Sequence, residues 1–141
     1  MPDRTIVRGD SYATRRPLYV HTFVDDVGAP FDLTGCTVRS TFKTTTTDPS
    51  TDATDSTAVI KATLIVDGSG TATTETKMYL VGAATDGVCE LRLSSSDTLA
   101  LTTGTFWLSD VELTDANGEV FTFLYTDRLT SVNGYTNRTS G

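Results

Sequence analysis

The chain is poor in the side chains that do chemistry. It has one histidine, two cysteines and one tryptophan in 141 residues. A zinc or other transition-metal site needs several His, Cys or carboxylate ligands at usable spacing, and one histidine does not supply them. Any Ser–His–Asp or Cys–His constellation would have to run through His21. No G-x-S-x-G motif marks a nucleophile. His21 lies inside a strand-like run, where a lone histidine reads as structural. Basic residues are also scarce, with 11 Lys and Arg against 18 Asp and Glu and a formal net charge of −7. That balance argues against a nucleic-acid partner, whose backbone demands a basic face. The pair Arg15–Arg16 is the densest basic cluster. No apolar run approaches the roughly 20 residues of a membrane span. The opening "MPDRTIVRGD" has no apolar core of a signal peptide, so the expectation is synthesis in a cytoplasm and no membrane partner. Cys36 and Cys89 sit in strand-like runs and read as buried thiols; a bridge would require their strands to face each other.

Carboxylates are plentiful, and three pairs come close enough to consider: Asp25–Asp26, Asp110 with Glu112, and Asp115 with Glu119. Glycoside hydrolysis needs two carboxylates across a cleft. Asp25, Asp26 and Asp115 fall in turn-forming stretches, and turn formation is the simpler reading. The acidic stretch 48–55 lacks the spacing and glycine of a calcium loop. "GSG" (68–70) and "GAATDG" (82–87) join strands without opening a helix, so they are not phosphate loops. The expectation is no catalytic, cofactor-binding or metal-ligating residue. "RGD" (8–10) matches an integrin tripeptide, and "NRT" (137–139) matches a glycosylation sequon. Short matches of this kind arise by chance, and the sequon is read as unused without a secretory signal.

Threonine is the commonest residue, and its branched Cβ favours pleated, half-exposed strands. In "CTVRSTFK" (36–43), Cys36, Val38 and Phe42 alternate with Thr37, Arg39, Thr41 and Lys43, which predicts a half-buried strand. Further strands are expected over 17–24, 58–66, 71–81, 88–94, 105–114 and 119–126. The turns "DDVGAP", "DGSG", "GAATDG" and "DANG" separate them, and Asn117–Gly118 gives the clearest hairpin signal. One helical turn is expected near 94–104, capped by Ser96 or Asp97. Seven or eight short strands with almost no helix make an all-β sandwich in one domain, 1–141. The low-complexity loop 44–57 and the hairpin 58–81 look like an insertion, a protruding arm that could be deleted from a folded domain. Residues 127–141 look like an extended tail. The expected core is Leu18, Val20, Val38, Phe42, Leu91, Leu93, Trp107, Val111, Leu113, Phe121 and Phe123.

Two stretches carry a resemblance. The first has "RGD" and then Asp26, Gly28, Pro30 and Asp32–Leu33–Thr34–Gly35. The second runs through Leu101, Gly104, Asp110, Val111, Leu113, Thr114, Asp115, Gly118, Val120 and Thr122. Together they resemble small structural proteins of tailed bacteriophages, similar to the N-terminal domain of baseplate upper proteins and related tail and neck components. The likeness covers about two-thirds of the chain and departs at 44–81 and after Tyr125. It implies an immunoglobulin-like antiparallel sandwich without enzymatic activity. It also implies a place in the virion, with further copies of the chain in a ring or shell and neighbouring virion proteins as partners. Contacts are expected at strand edges, the 58–81 hairpin and the two ends. The alternative is a head decoration or a receptor- or carbohydrate-binding module, for which exposed aromatics such as Tyr12, Tyr79, Trp107 or Tyr135 would serve.

Overall fold

A computed structural model describes residues 3–43 and 58–134. The Thr-rich loop 44–57 with its acidic stretch, Tyr135 and the 137–139 sequon lie outside the described residues. Among the described residues nine strands form: β1 (Asp3–Val7), β2 (Tyr19–Thr22), β3 (Thr37–Lys43), β4 (Ala58–Val66), β5 (Ala72–Thr76), β6 (Met78–Leu80), β7 (Val88–Leu91), β8 (Gly104–Thr114) and β9 (Val120–Val132). One short α-helix, α1, spans Ser95–Leu99, and a single 3-10 turn spans Ala84–Asp86. A six-stranded sheet ordered β1-β9-β8-β3-β4-β5 faces a three-stranded sheet ordered β2-β7-β6. The expected all-β sandwich is therefore present. Its larger sheet extends a β9-β8-β3 centre by β4 and β5 on one side and β1 on the other. All pairings between these strands are antiparallel except that of β1 with β9, which is parallel; the isolated bridge Thr63–Lys77 is also parallel.

The core fills the gap between the sheets. Val38 and Phe42 of β3, Leu64 of β4, Cys89 and Leu91 of β7, and Leu113 of β8 are all fully buried. The expected core needs two corrections, and each has a geometric cause. Val20 is 55% exposed, because β2 turns Tyr19 and His21 inward and Phe23 follows on the same side. Those three rings stack in a row, with centroids 6.2 and 6.1 Å apart, and bury far more area than Val20 and Thr22 could. Trp107 is only half-buried, on the outer face near Arg128. Strict alternation from Val111 and Leu113 would carry it inward. The β8–β9 register instead shifts between Leu108 and Asp110. This bulge reverses the parity, so Phe106 and Leu108 are buried on one side of it and Val111 and Leu113 on the other.

The 58–81 segment is not a protruding arm. β4 lies inside the large sheet, bonded to β3 on one side and β5 on the other. Its Ile60, Ala62, Leu64 and Val66 are buried in turn along the strand. β5 forms the sheet edge. Lys77, at φ 60°, then turns the chain out of that sheet into β6 of the other. The tail also begins later than expected, since β9 continues to Val132 and its last five residues pair with β1.

Two outcomes follow for stability. Deleting 58–81 should abolish cooperative unfolding, as followed by circular dichroism, because it removes an inner strand. Leu113, at 0% exposure, should not tolerate Leu113→Asp, since a buried unpaired carboxylate costs several kcal/mol. An unchanged melting curve for that variant would contradict the assigned face.

Candidate functional site

Three turns share one construction. In each, an aspartate is followed three positions later by a glycine. The carboxylate Oδ1 of Asp25 accepts from the N–H groups of Val27 (3.0 Å) and Ala29 (2.9 Å). Asp67 does the same for Ser69 and Thr71, both at 2.9 Å. Asp115 does so for Asn117 and Glu119, both at 2.9 Å. In all three the backbone closes through Gly28, Gly70 or Gly118, whose N–H donates to the aspartate carbonyl at 3.0 to 3.1 Å. These glycines take φ of +80 to +85°, a region that costs little only without a Cβ. Asn117 keeps a negative φ, so the terminal hairpin is a type I turn with a left-handed glycine after it. Asp25 and Asp115, weighed above as acid–base candidates, serve as turn formers.

These turns gather at one end of the sandwich, around the segment Asp32–Cys36. Leu33 N–H donates to Ala84 C=O at 3.0 Å, and Gly35 N–H donates to Asp67 C=O at 3.0 Å. A Cβ on Gly35 would stand 3.1 Å from that of Ala116, and its φ is +77°. Asp32 accepts from the Thr34 hydroxyl at 2.7 Å and from Thr34 N–H at 2.9 Å. Those bonds hold its carboxyl below the usual carboxylate range. The Ser69 hydroxyl, followed by the N–H groups of Thr71 and Ser69, lowers that of Asp67 in the same way. Beside them lies an open groove of about 470 Å³ lined by Val24, Phe31, Val120, Phe121 and Phe123, with Asp25 and Asp26 at its lip. Phe123 packs on Phe23 with centroids 4.8 Å apart, and Phe31 meets Phe121 edge-on at 5.2 Å.

The other candidates separate. His21 is buried in the ring row of β2, and burial pushes it down to about 4. It is therefore neutral at pH 7. Cys36 and Cys89 are free and buried. Burial raises both thiols, that of Cys89 to about 12, so neither is a thiolate nucleophile at neutral pH. Tyr12 is buried, and its hydroxyl accepts from Val7 N–H at 2.9 Å. The ring face of Tyr79 is covered by Arg92 at 4.1 Å. These aromatics and the half-buried Trp107 do not assemble into an exposed sugar-stacking platform. Among the described residues, no group of three or more His, Cys, Asp or Glu could hold a metal ion. No helix among them is long and apolar enough to cross a membrane.

The RGD tripeptide is consumed by the fold. Arg8 Nε donates to Leu101 C=O at 2.6 Å, and its two terminal nitrogens donate to Leu99 C=O at 2.8 Å and Asn133 Oδ1 at 2.7 Å. Gly9 N–H donates to Thr98 Oγ1 at 2.9 Å, and that hydroxyl donates to Asp10 C=O at 2.7 Å. The guanidinium thus serves the carbonyls at the end of α1. The cap at the start of α1 is Ser94, two residues before the expected Ser96, and Asp97 closes a capping box with it.

Compared with protein-family models, curated proteins and solved structures, the chain matches none.

His21 fixes a pH dependence. The unfolded chain takes up its proton near 6.5 and the folded one near 4. Its contribution to stability is therefore complete above pH 6.5 and is lost as pH falls through that window, by on the order of 3 kcal/mol. The midpoint of urea unfolding should fall more steeply between pH 7 and 4.5 for the parent chain than for His21→Phe; parallel curves would contradict this. Arg8→Ala should lower stability by about 1–3 kcal/mol through its lost carbonyl partners, and Arg8→Lys should not restore it.

Proposed function

We propose that the chain is a non-enzymatic structural protein of a tailed-bacteriophage virion, a component of the tail, baseplate or neck made in the host cytoplasm. It works by holding further copies of itself and neighbouring virion proteins. One observation carries most of this reading. The two stretches that resemble phage structural proteins are far apart in sequence, yet they meet in space. Gly35, which ends the first motif, packs against Ala116 in the turn of the second. The two stretches meet a second time at the other end of the sandwich, where Arg8 of the first donates to Leu101 C=O of the second. The dry histidine, the raised thiols and the turn-forming aspartates are consistent with a protein selected for shape and surface. The sheet edges offer further contacts, since among the described residues β5 and β1 each have a strand partner on one side and an unpaired edge recruits extended chain through main-chain hydrogen bonds.

The test is to purify particles of the phage that encodes the chain, band them in a density gradient and identify their proteins by mass spectrometry. The protein should co-band with intact particles in multiple copies, and antibody labelling should fall on the tail, neck or baseplate. Absence from particles would contradict the proposal. Labelling over the whole head surface would favour the decoration reading.

A further inference from the structure

The charge of this molecule is unevenly placed. Every ionisable side chain in the junction-forming segments is a carboxylate. There are three in 25–35, one in 67–71, one in 82–87 and two in 115–119, with no lysine or arginine among them. That is seven carboxylates, as many as the formal net charge of −7 on the whole chain. The contacts already described put these segments side by side, and Gly70 joins them by approaching Ala84. In the middle of this acidic end lies apolar surface. Val27 is 87% exposed at the tip of its turn, with Val24 at 46% and Val120 at 54%, and the phenylalanine-lined groove opens beside them.

Among the described residues, one segment at the far end has the opposite sign. Segment 8–16 carries three arginines against one aspartate. Residues 15–16 precede the strand that 25–26 follow, so the intervening extended chain puts them roughly 25 Å apart. Arg15 and Arg16 are exposed there. Arg16 lies over the ring of Tyr12 at 4.3 Å, 3.4 Å from Asp10. The surface is thus an arginine-rich patch on an aromatic base.

We infer that the acidic end, with Val27 and the groove at its centre, is a docking surface for the arginine-bearing end of a second copy of this chain. The contact is head-to-tail. Charge complementarity selects this occupant, because the two ends of one molecule carry what the interface needs on its two sides. The apolar centre with a charged rim is the anatomy of a specific interface. Two acidic ends would repel, which disfavours a two-fold contact through the same patch. A heterologous contact closes into a ring or continues as a filament. This inference rests on the structural role proposed above and names the surface through which copies would join. The expected 58–81 arm is not that surface, since its first strand is interior.

The experiment uses the full chain in solution, so it can fail while the particle test succeeds, and the reverse. Sedimentation at low ionic strength should show concentration-dependent self-association, weakening as salt approaches about 1 M, where the screening length is about 3 Å. One variant, Asp26→Lys with Val27→Ser, spoils the acidic end and leaves Asp25 to form its turn. A second, Arg15→Glu with Arg16→Glu, spoils the other end. Each alone should be monomeric, with self-association weakened about tenfold or more, and each should keep a cooperative melt. Mixed together they have one intact interface between them, so they should form a dimer that grows no further. A parent chain that stays monomeric at low salt overturns the inference. So does a mixture that remains monomeric, a mixture that grows beyond dimers, or either folded variant assembling like the parent.

Discussion

The segment Asp32–Cys36 is the clasp on which the rest of this fold depends. It lies between the two sheets and touches both. Leu33 is fully buried, and its N–H reaches Ala84, in the connection between β6 and β7 of the small sheet. Gly35 reaches the β4–β5 turn through Asp67 and the β8–β9 turn through Ala116. Cys36 C=O accepts from Val66 N–H at 2.9 Å at the end of β4. Three connections, β6–β7, β4–β5 and β8–β9, and the end of β4 are thus tied by five residues. Any side chain at position 35 would be strained, because a positive φ and a close Ala116 coincide there.

The clasp also explains why so much negative charge can be held in one place. Hydrogen bonds to Asp32 and Asp67 favour their ionised forms, and the Asp25 and Asp115 carboxylates each accept two backbone N–H groups. The repulsion among them is spread over an exposed, solvated rim. The field that remains points out of one end of the molecule, and such a field acts on association more than on folding.

Much of this was legible in the sequence. The D-x-x-G turns were visible as turn chemistry, and β3 and β4 were visible as strands. The inward set Cys36, Val38 and Phe42 followed from alternation, but Thr41 and Lys43, expected on the outer face, are buried as well. Other features were set by tertiary contacts. The bulge before Asp110 reversed the parity of β8, and only the pairing with β9 reveals it. β2 offered two apolar faces, and the row Tyr19–His21–Phe23 won the interior by area. The 58–81 segment looked like an insertion because the Thr-rich stretch precedes it, although the alternation of Ile60, Ala62, Leu64 and Val66 already marked an inner strand. β1 escaped notice because five residues paired in parallel to a distant strand leave little local signal. The acidic end could not be seen at all, since its carboxylates come from four separate segments.

Amide hydrogen exchange at Leu33 and Gly35, followed by nuclear magnetic resonance, tests the clasp most directly. Loop amides ordinarily exchange through small local openings. If these two amides hold the sheets and turns together, they should exchange only through global unfolding, as slowly as the N–H groups of Val38 and Leu64. Exchange at the rate of the exposed Asp25–Ala29 turn would contradict the account.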